Sequence, residues 1–412
     1  MTIVAQGTPA EGPSWRVPWT EPEGSARAAS LFRATFGYEP STAVSAPGRI
    51  NVIGEHTDYN GGLALPTLLP HRTFVAAALR SDETLRVVSA HAGELHGPDA
   101  VAEFEFDAIA SGAVQGWPAY VAGVIWALRE RGFTGYGLDI AVDSCVPIAA
   151  GLGSSAALSC AVALAANELW GLALTSRADT MTLAESCVDG ERNIVGVPAG
   201  ALDPYSVLFA SPGQALMIDF STEPPHIRPQ PLYFPEYGLA LLVIDTGTTH
   251  SHADGRYAER VAQCQAACAA LEVASLREVA DAPHALHRVE SIADPVARHR
   301  ARHVVTEIDR ARLVAAELSG TAPAHERFVT IGKALYRSHA SLEVDFDVSV
   351  PEINAAVDAA FRAGALGARL VGGGFGGAAI ALVRRAQAER TAEIIAEAIV
   401  EAGFAAPTFL MV

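Results

Sequence analysis

A glycine-rich turn near the middle of the chain, PIAAGLGSSAA at residues 147–157, runs directly into a long apolar segment. The apolar pattern predicts a buried helix from Ser154 or Ser155 to about Trp170. The first turn of such a helix presents unpaired N–H groups and the positive end of the helix dipole, and glycines let the backbone come close to an anion. The sequence therefore predicts a phosphate-binding turn ahead of this helix.

An ordinary serine N-cap is the alternative for this turn. The small residues ahead of the two serines favour a phosphate site over a simple N-cap; they are Ala149, Ala150, Gly151 and Gly153. No lysine follows the glycines, so the turn is not a Walker A loop. A nucleoside-triphosphate site of another design is required.

The overall charge limits the possible partners. The 412 residues carry a formal net charge of −17, which repels nucleic acid backbones and anionic lipid, so neither is expected as a partner. The five cysteines show no C-x-x-C pair, which favours free thiols in a reducing compartment. The N-terminal residues lack a signal-peptide pattern, and polar residues interrupt the most apolar helix. We therefore expect a cytoplasmic protein without a membrane segment.

Strand and helix patterns alternate along the chain, which predicts an α+β protein of two domains. Residues 1–24 are expected to form an N-terminal arm, and a proline-rich stretch at 211–238 is expected to contain the domain junction. The expected domains are residues 25–220 and 221–412. Strands are predicted at residues 73–79, 84–90, 138–142 and 239–245, helices at 24–36, 117–131, 183–193 and within 257–338, and a strand–helix–strand end from residue 368.

A second segment, SAPGRINVIGEHTDYNGG at residues 45–62, concentrates polar side chains among glycines. Ile50, Val52 and Ile53 predict a strand that holds the polar turn rigidly. Each hydroxyl of a polyhydroxylated ligand needs a donor and an acceptor, which these side chains can provide. We therefore predict a small polar metabolite as the ligand, with a plain solvated loop as the alternative. The polar set is Arg49, Asn51, Glu55, His56, Asp58 and Asn60.

A third segment, LVGGGFGGAAI at residues 370–380, formally satisfies G-x-G-x-x-G through Gly372, Gly374 and Gly377. A dinucleotide site is rejected because the next segment looks like a strand and no βαβ unit surrounds the motif. A structural hairpin loop remains the alternative to a functional glycine loop.

In their order and spacing, the three segments resemble the signature motifs of the GHMP small-molecule kinases, and APGRINVIGEHTDYNGG is similar to the galactokinase signature within that family. The resemblance covers roughly residues 36–412. It implies an N-terminal ribosomal-protein-S5-like domain and a C-terminal ferredoxin-like domain with the active site between them. It also implies transfer of the γ-phosphoryl group of ATP to the anomeric hydroxyl of α-D-galactose, with Mg²⁺. We expect a monomer or weak homodimer.

Two other functions stay open at this point. One is a GHMP kinase for another sugar, such as N-acetylgalactosamine or galacturonate. The other is a catalytically silent sugar sensor on the same fold. Retention of Ser154, Ser155, Glu191 and Asp203 favours an enzyme.

The same resemblance implies the site residues. The stretch ERNIVGVPAGALD at 191–203 is similar to the family segment that carries a metal-binding Glu and a catalytic Asp. Asp203 and Arg49 are thus expected to be catalytic, and Ser155 and Glu191 to bind Mg²⁺. The remaining assignments are sugar binding by Glu55, His56, Thr57, Asp58, Gly200 and Tyr257; ATP binding by Ala149, Ala150, Gly151, Leu152, Gly153, Ser154 and Ser155; and a glycine motif near the active site at Gly372, Gly373, Gly374, Gly376 and Gly377.

Asp203 precedes Pro204, an order typical of an N-cap and the first helical residue. There the helix dipole would favour the ionised carboxylate, so we expect Asp203 mainly to orient a hydroxyl and stabilise charge. Arg49 could instead form a structural ion pair with Glu55 or Asp58. Three positions depart from the usual galactokinase pattern: Gly153 in place of serine, Ala199 in place of cysteine and Pro204 in place of glutamine.

Overall fold

The computed structural model describes residues 12–92, 101–197, 200–248 and 255–412, which form two sheets flanked by helices. The predicted α+β class is confirmed. The helices are α1 Glu21–Phe36, α2 Pro118–Glu130, α3 Ser154–Leu169, α4 Arg177–Gly190, α5 Leu202–Phe209, α6 Arg256–Leu271, α7 Leu276–Ala280, α8 Ala285–Glu290, α9 Pro295–Ser319, α10 Ala324–Val344, α11 Pro351–Arg362 and α12 Ala388–Glu401.

The first sheet has eight strands: β2 Thr42–Asn51, β3 Leu63–Ala64, β4 Pro66–Leu79, β5 Thr84–Ser89, β6 Ala102–Glu105, β7 Leu138–Ser144, β8 Gln214–Asp219 and β9 His226–Pro231. Its central path runs β3-β8-β4-β7-β5-β6, with β2 paired to β4 and β9 to β8. Alternate residues of β4 face opposite sides of the sheet: Phe74 packs against α1, whereas Val75 belongs to the core formed with α2 and α3.

The second sheet has the strands β1 Ser14–Trp15, β10 Leu239–Thr248, β11 Gly367–Val371, β12 Gly377–Arg384 and β13 Thr408–Met411. Their order across the sheet is β1-β13-β10-β12-β11. Buried side chains of this sheet and of its helices share one core with Val52 and Ile53, which lie directly after β2. The end of β2 therefore reaches from the first sheet into the core of the second half.

Helix α3 occupies the position that its apolar sequence predicted. It begins at Ser154, ends at Leu169 and has ten buried residues out of 16. Helices α2, α4 and α5 and strands β2 and β4 all contact it. Because α3 is surrounded on several sides, its N-terminus is held in a fixed position and can define a binding site.

Several predicted boundaries differ from the structure. Helix α1 begins at Glu21 because Thr20 and Glu23 form a capping box, and α4 begins at Arg177 because Ser176 and Asp179 do the same. The chain then continues through a π-helical turn, Glu191–Val195. The C-terminal end has two antiparallel strands, β11 and β12, before α12 and β13, rather than a single strand, helix and strand.

The first sheet continues past the predicted domain boundary at residue 220, because β9 pairs antiparallel with β8. Prolines at 229 and 231 are tolerated since β9 pairs only with β8 among the described strands. At the other end, β1 lies within the predicted arm but pairs with β13 of the second sheet. The chain thus passes between the sheets after Pro231. No helix in the described ranges is long and apolar enough to cross a membrane.

Candidate active site

A cavity of about 130 Å³ lies where the three glycine-bearing segments meet. The segments come from the end of β2, from the turn before α3 and from the loop between β11 and β12. The lining residues are Arg49, Glu55, His56, Asp58, Ala149, Gly151, Leu152, Gly153, Ser154, Ser155, Glu191, Val197, Gly200, Leu202, Asp203, Tyr257, Gly372 and Gly373.

Arg49 and Asp203 form a bidentate ion pair across the cavity. Arg49 Nε donates to Asp203 Oδ1 at 2.7 Å and Nη2 donates to Oδ2 at 2.6 Å. The guanidinium also donates through Nη1 to the carbonyl of Gly151 at 2.5 Å. One buried cation thereby joins the carboxylate to the glycine turn. The alternative to a catalytic role, a structural ion pair of Arg49 with Glu55 or Asp58, is not the pair that forms.

Asp203 lies in the first turn of α5, but it is not the N-cap. That position belongs to Ala201, and α5 begins at Leu202, so the predicted N-cap role of Asp203 is wrong. Its placement at the start of a helix is confirmed. The carboxylate is a quarter exposed and opens onto the cavity, in contrast to the 8% exposure of the Arg49 side chain.

The turn after β2 presents Glu55 and His56 through an unusual backbone path. Gly54 has φ +99°, and a Cβ there would lie 2.2 Å from the carbonyl oxygen of Leu63, so only glycine fits. His56 has φ +62°; its Nδ1 contacts the Tyr59 hydroxyl at 3.0 Å and its Nε2 the carbonyl of Gly373 at 3.2 Å. Burial lowers the pKa of His56 to about 3, so the imidazole is neutral at neutral pH.

Thr57 does not reach the cavity. Its hydroxyl is fully buried and donates to the carbonyls of Gly54 at 3.0 Å and Leu63 at 2.7 Å. This side chain closes the turn and is not among the residues that line the cavity, so its predicted contact with the sugar stays a prediction.

Asp58, Gly200 and Tyr257 all line the cavity, and Asp58 lies directly against Gly200. The Tyr257 ring lies 5.5 Å from the His56 ring and 5.8 Å from the Tyr59 ring, between ring centroids. Burial raises the pKa of Asp58 to about 6, and the charges of Asp203 and Glu55 act in the same direction.

The raised pKa of Asp58 predicts a pH dependence. Below about pH 6 this carboxyl becomes protonated and loses acceptor capacity for sugar hydroxyls. We expect kcat/KM for the sugar to fall by about tenfold per pH unit below that value. The measurement is a pH profile with the sugar varied at saturating ATP. Asp58→Asn should remove this acid limb, and an unchanged acid limb in that variant would assign the limb to another group.

Gly200 leaves room for the Asp58 carboxylate, since a Cβ at this position would lie 1.6 Å from Asp58 Oδ2. We expect Gly200→Ala to displace that carboxylate and raise KM for the sugar by about 10- to 100-fold, with a smaller effect on KM for ATP. Steady-state kinetics with each substrate varied measures this. Gly12→Ala is the matched control, because nothing lies within 4 Å of a Cβ there; an equal effect in both variants would contradict the steric explanation.

The glycine turn before α3 faces the cavity as predicted. Gly151 and Gly153 have φ +72° and +73°, and Gly153 is the N-cap, so Ser154 and Ser155 are the first two helical residues and neither is an N-cap. A Cβ at Gly153 would lie 2.9 Å from Arg49 Cγ, which gives the departure from serine a structural basis. Ala149, Gly151, Leu152, Gly153, Ser154 and Ser155 line the cavity, whereas Ala150 is buried behind it. Position 199, the site of another departure, lies outside the described residues.

The third glycine segment is a hairpin loop that also contacts the site. The Gly372 N–H donates to Glu55 Oε1 at 2.8 Å, and a Cβ at Gly372 would lie 2.8 Å from the Cα of Gly151. Only Gly372 and Gly373 of this motif line the cavity. Gly374, Gly376 and Gly377 instead permit close packing against Val348, Thr248 and Ala150, respectively.

Glu191 and Ser155 line the cavity, and oxygen is the only kind of metal-binding atom that their side chains offer. Burial raises the pKa of Glu191 to about 8, and the nearby charge of Asp203 adds to the effect. A divalent cation would return this carboxyl to its ionised form. No group of three or more His, Cys, Asp or Glu suited to metal binding occurs among the described residues. A few oxygen ligands supplemented by phosphate and water suit Mg²⁺, so the residues present fit this ion.

Residues around the site include Asn51, which the sequence placed in the ligand-binding polar set but which does not line the cavity, and two residues that were not assigned from sequence. Asn51 Nδ2 donates to Glu55 Oε2 at 2.9 Å. Glu307 of α9 accepts from the Gly54 N–H at 2.9 Å and thereby fixes the turn from the second half. Arg369 of β11 lies against Glu55. A lone arginine inside the apolar strand GARLV is a signal that could have drawn attention to Arg369.

Three protein-family models match successive parts of the chain. They are the galactokinase galactose-binding signature at residues 30–79, the GHMP kinases N terminal domain at 119–211 and the GHMP kinases C terminal at 317–401. These spans include the turn after β2, the turn before α3 and the loop after β11.

Similar proteins cover nearly the whole chain. A galactokinase of Streptomyces coelicolor is 41% identical over 91% of this chain and 93% of its own. A galactokinase of Mycobacterium tuberculosis H37Rv is 41% identical over 89% of this chain and 96% of its own. The crystal structure of Lactococcus lactis galactokinase complexed with galactose superposes with a TM-score of 0.83, at 27% identity over 94% of this chain and 97% of that one. A Methanococcus jannaschii mevalonate kinase shares the fold, with a TM-score of 0.59 at 18% identity over 90% of this chain and 97% of that one.

Proposed function

The chain belongs to the galactokinase family of GHMP kinases, and from this premise we propose that it transfers the γ-phosphoryl group of ATP to the anomeric hydroxyl of galactose at the cavity described above. The observation that carries the proposal is the ion pair of Arg49 with Asp203, which also contacts the Gly151 carbonyl of the glycine turn. This arrangement brings a cation and a carboxylate together beside a predicted phosphate site and a predicted sugar site. Phosphoryl transfer needs positioning and neutralisation of charge on the migrating group.

The sugar is proposed to bind on the side of Glu55, His56, Asp58 and Tyr257. Carboxylates accept hydrogen bonds from sugar hydroxyls, while the neutral imidazole and the phenol can each donate or accept. The rings of His56 and Tyr257 add apolar surface against which a sugar face can pack. The anomeric hydroxyl would then point to Asp203.

Asp203 is proposed to orient that hydroxyl and stabilise its developing charge. Its two oxygens already accept from Arg49, which leaves further lone pairs for the sugar hydroxyl. The two hydrogen bonds from Arg49 fix the orientation of the Asp203 carboxylate at the cavity. We therefore assign the acceleration mainly to alignment and to the positive charge of Arg49.

The triphosphate is proposed to lie over the turn that ends in Ser154 and Ser155. Backbone N–H groups in the first turn of α3 and its positive dipole end suit phosphate oxygens. Ser155 and Glu191 are proposed to hold Mg²⁺, which when bound neutralises charge on the phosphates.

The decisive experiment is an ADP-release assay with ATP, Mg²⁺ and a panel of sugars. We expect turnover with galactose, and little with N-acetylgalactosamine or galacturonate. A clear preference for one of these two would assign another sugar kinase within the fold. Tight binding of galactose and ATP without ADP release would indicate a silent sensor.

We further propose that the protein is cytoplasmic and functions as a monomer or weak homodimer, with two domains that meet at the cavity. The free state of all five cysteines supports a reducing compartment. Analytical ultracentrifugation across a range of concentrations would measure the oligomeric state.

A further inference from the structure

Arg369 is a fully buried cation next to the sugar side of the cavity. It lies in the middle of β11 with no exposed surface, and its side chain is among the largest that are fully buried. Its Nη1 donates to the carbonyls of Val52 at 2.9 Å and Asn51 at 3.2 Å, at the end of β2. Its Nη2 lies 3.0 Å from Glu55 Oε1. Arg369 does not itself line the cavity.

Glu55 is held from three directions. Arg369 and the Gly372 N–H both contact Oε1, whereas Asn51 Nδ2 donates to Oε2. Burial raises the pKa of Glu55, and Arg369, followed by Arg49, acts against that effect. The carboxylate at the cavity wall therefore owes its orientation to residues behind it.

This ion pair is poorly suited to a purely stabilising role. Burying two charges carries a large desolvation cost, and apolar residues of similar volume often serve stability as well or better. In addition, Arg369 Nε and Nη2 have no hydrogen-bond partner among the described residues, so Nη2 meets Glu55 as an ion pair without a hydrogen bond, which adds a further cost. A structural role alone would not require an arginine at this position of an apolar strand.

We propose that Arg369 is a positioning residue for the sugar: it holds the Glu55 carboxylate and the end of β2 in the geometry that receives a sugar hydroxyl. The inference rests on the proposed function, because it assumes that Glu55 faces the sugar. Arg369 acts on the sugar side because, within the described part of the chain, the hydrogen bonds and the ion pair of its guanidinium go to Asn51, Val52 and Glu55.

The test compares Arg369→Met with Arg369→Lys. Loss of one partner of a buried charge pair should raise KM for galactose by about 30-fold or more in Arg369→Met. KM for ATP should stay within about threefold of the parent value, and Arg369→Lys should recover part of the loss because it retains the charge. If Arg369→Met does not fold, Arg369→Lys carries the test, with a galactose-specific rise in KM as the expected result.

Arg327→Met is the matched control. Arg327 of α10 is also buried, and it donates to the carbonyls of Glu317, Leu318 and Ala322, away from the cavity. It should lower the melting temperature without a selective change in KM for galactose. Equal KM changes for both substrates in Arg369→Met, or an unchanged KM for galactose, would overturn the inference.

A double-mutant cycle with Glu55→Gln tests whether Arg369 acts through Glu55. We expect the Glu55→Gln/Arg369→Met protein to bind galactose no more weakly than Glu55→Gln alone, whereas multiplicative losses would contradict the coupling. Calorimetric titration of galactose in the absence of ATP measures this independently of turnover. Sugar binding by the unmodified protein without ADP release would therefore refute the kinase proposal while leaving the positioning role measurable.

Discussion

Asp203→Asn should lower kcat by about 10²- to 10⁴-fold while the protein remains folded. The substitution removes the negative charge that faces the proposed anomeric hydroxyl. It also replaces one acceptor oxygen with an N–H₂ donor, which breaks one of the two hydrogen bonds from Arg49. Because the lost interactions concern the reacting centre, kcat should fall far more than KM for ATP rises.

Single-turnover kinetics with saturating galactose and ATP is the measurement that isolates the chemical step. Asp139→Asn is a close control, because Asp139 forms a similar bidentate pair with Arg86, at 2.7 and 2.5 Å, away from the cavity. Asp139 is buried, so its variant should lose stability but retain kcat. Near-parent kcat in Asp203→Asn, or an equal loss in Asp139→Asn, would remove Asp203 from the mechanism.

The parts of the site that the sequence predicted are those encoded within short windows. The turn before α3 needs only glycines at φ +72° and +73° followed by a helix start, and all of these lie within a few residues. The same holds for the turn after β2, where Gly54 and His56 depend on local backbone geometry. Local signals of this kind can be read from a single sequence.

The contacts that complete the site could not be read in this way, because they depend on packing between distant segments. Arg49 and Asp203 are 154 residues apart, and spacing alone suggested Glu55 or Asp58 as the partner. Thr57 lies in the same polar segment as the cavity residues, but its hydroxyl hydrogen-bonds to backbone carbonyls within the turn. Arg369 contacts Glu55 only because the end of β2 enters the core of the second half.

Strand β9, which follows the predicted domain boundary, was missed for a related reason. Prolines near residue 230 signalled a linker, but an edge strand tolerates proline, and β9 adds to the first sheet. The capping boxes of α1 and α4 were present in the sequence as Thr20 with Glu23 and Ser176 with Asp179. These local signals could have corrected both helix starts.

Arg49→Met should lower kcat by about 10³-fold or more, and Arg49→Lys by a smaller factor. The methionine variant removes the positive charge beside the proposed γ-phosphoryl position and leaves the Asp203 carboxylate without its partner. Lysine retains the charge but cannot maintain two hydrogen bonds to Asp203 and a third to the Gly151 carbonyl in the same geometry. The two variants therefore separate the contribution of charge from that of alignment.

The comparison with Arg86 controls for loss of an ion pair in the same half of the protein. Arg86→Met breaks the bidentate contact with Asp139 and should affect the melting temperature rather than kcat. If Arg49 and Asp203 act as one unit, the Arg49→Met/Asp203→Asn protein should lose about as much kcat as the more damaged single variant. Independent, multiplicative losses in the double variant would mean that the cation and the carboxylate serve separate steps. A kcat of Arg49→Met within tenfold of the parent value would exclude Arg49 from the reacting centre.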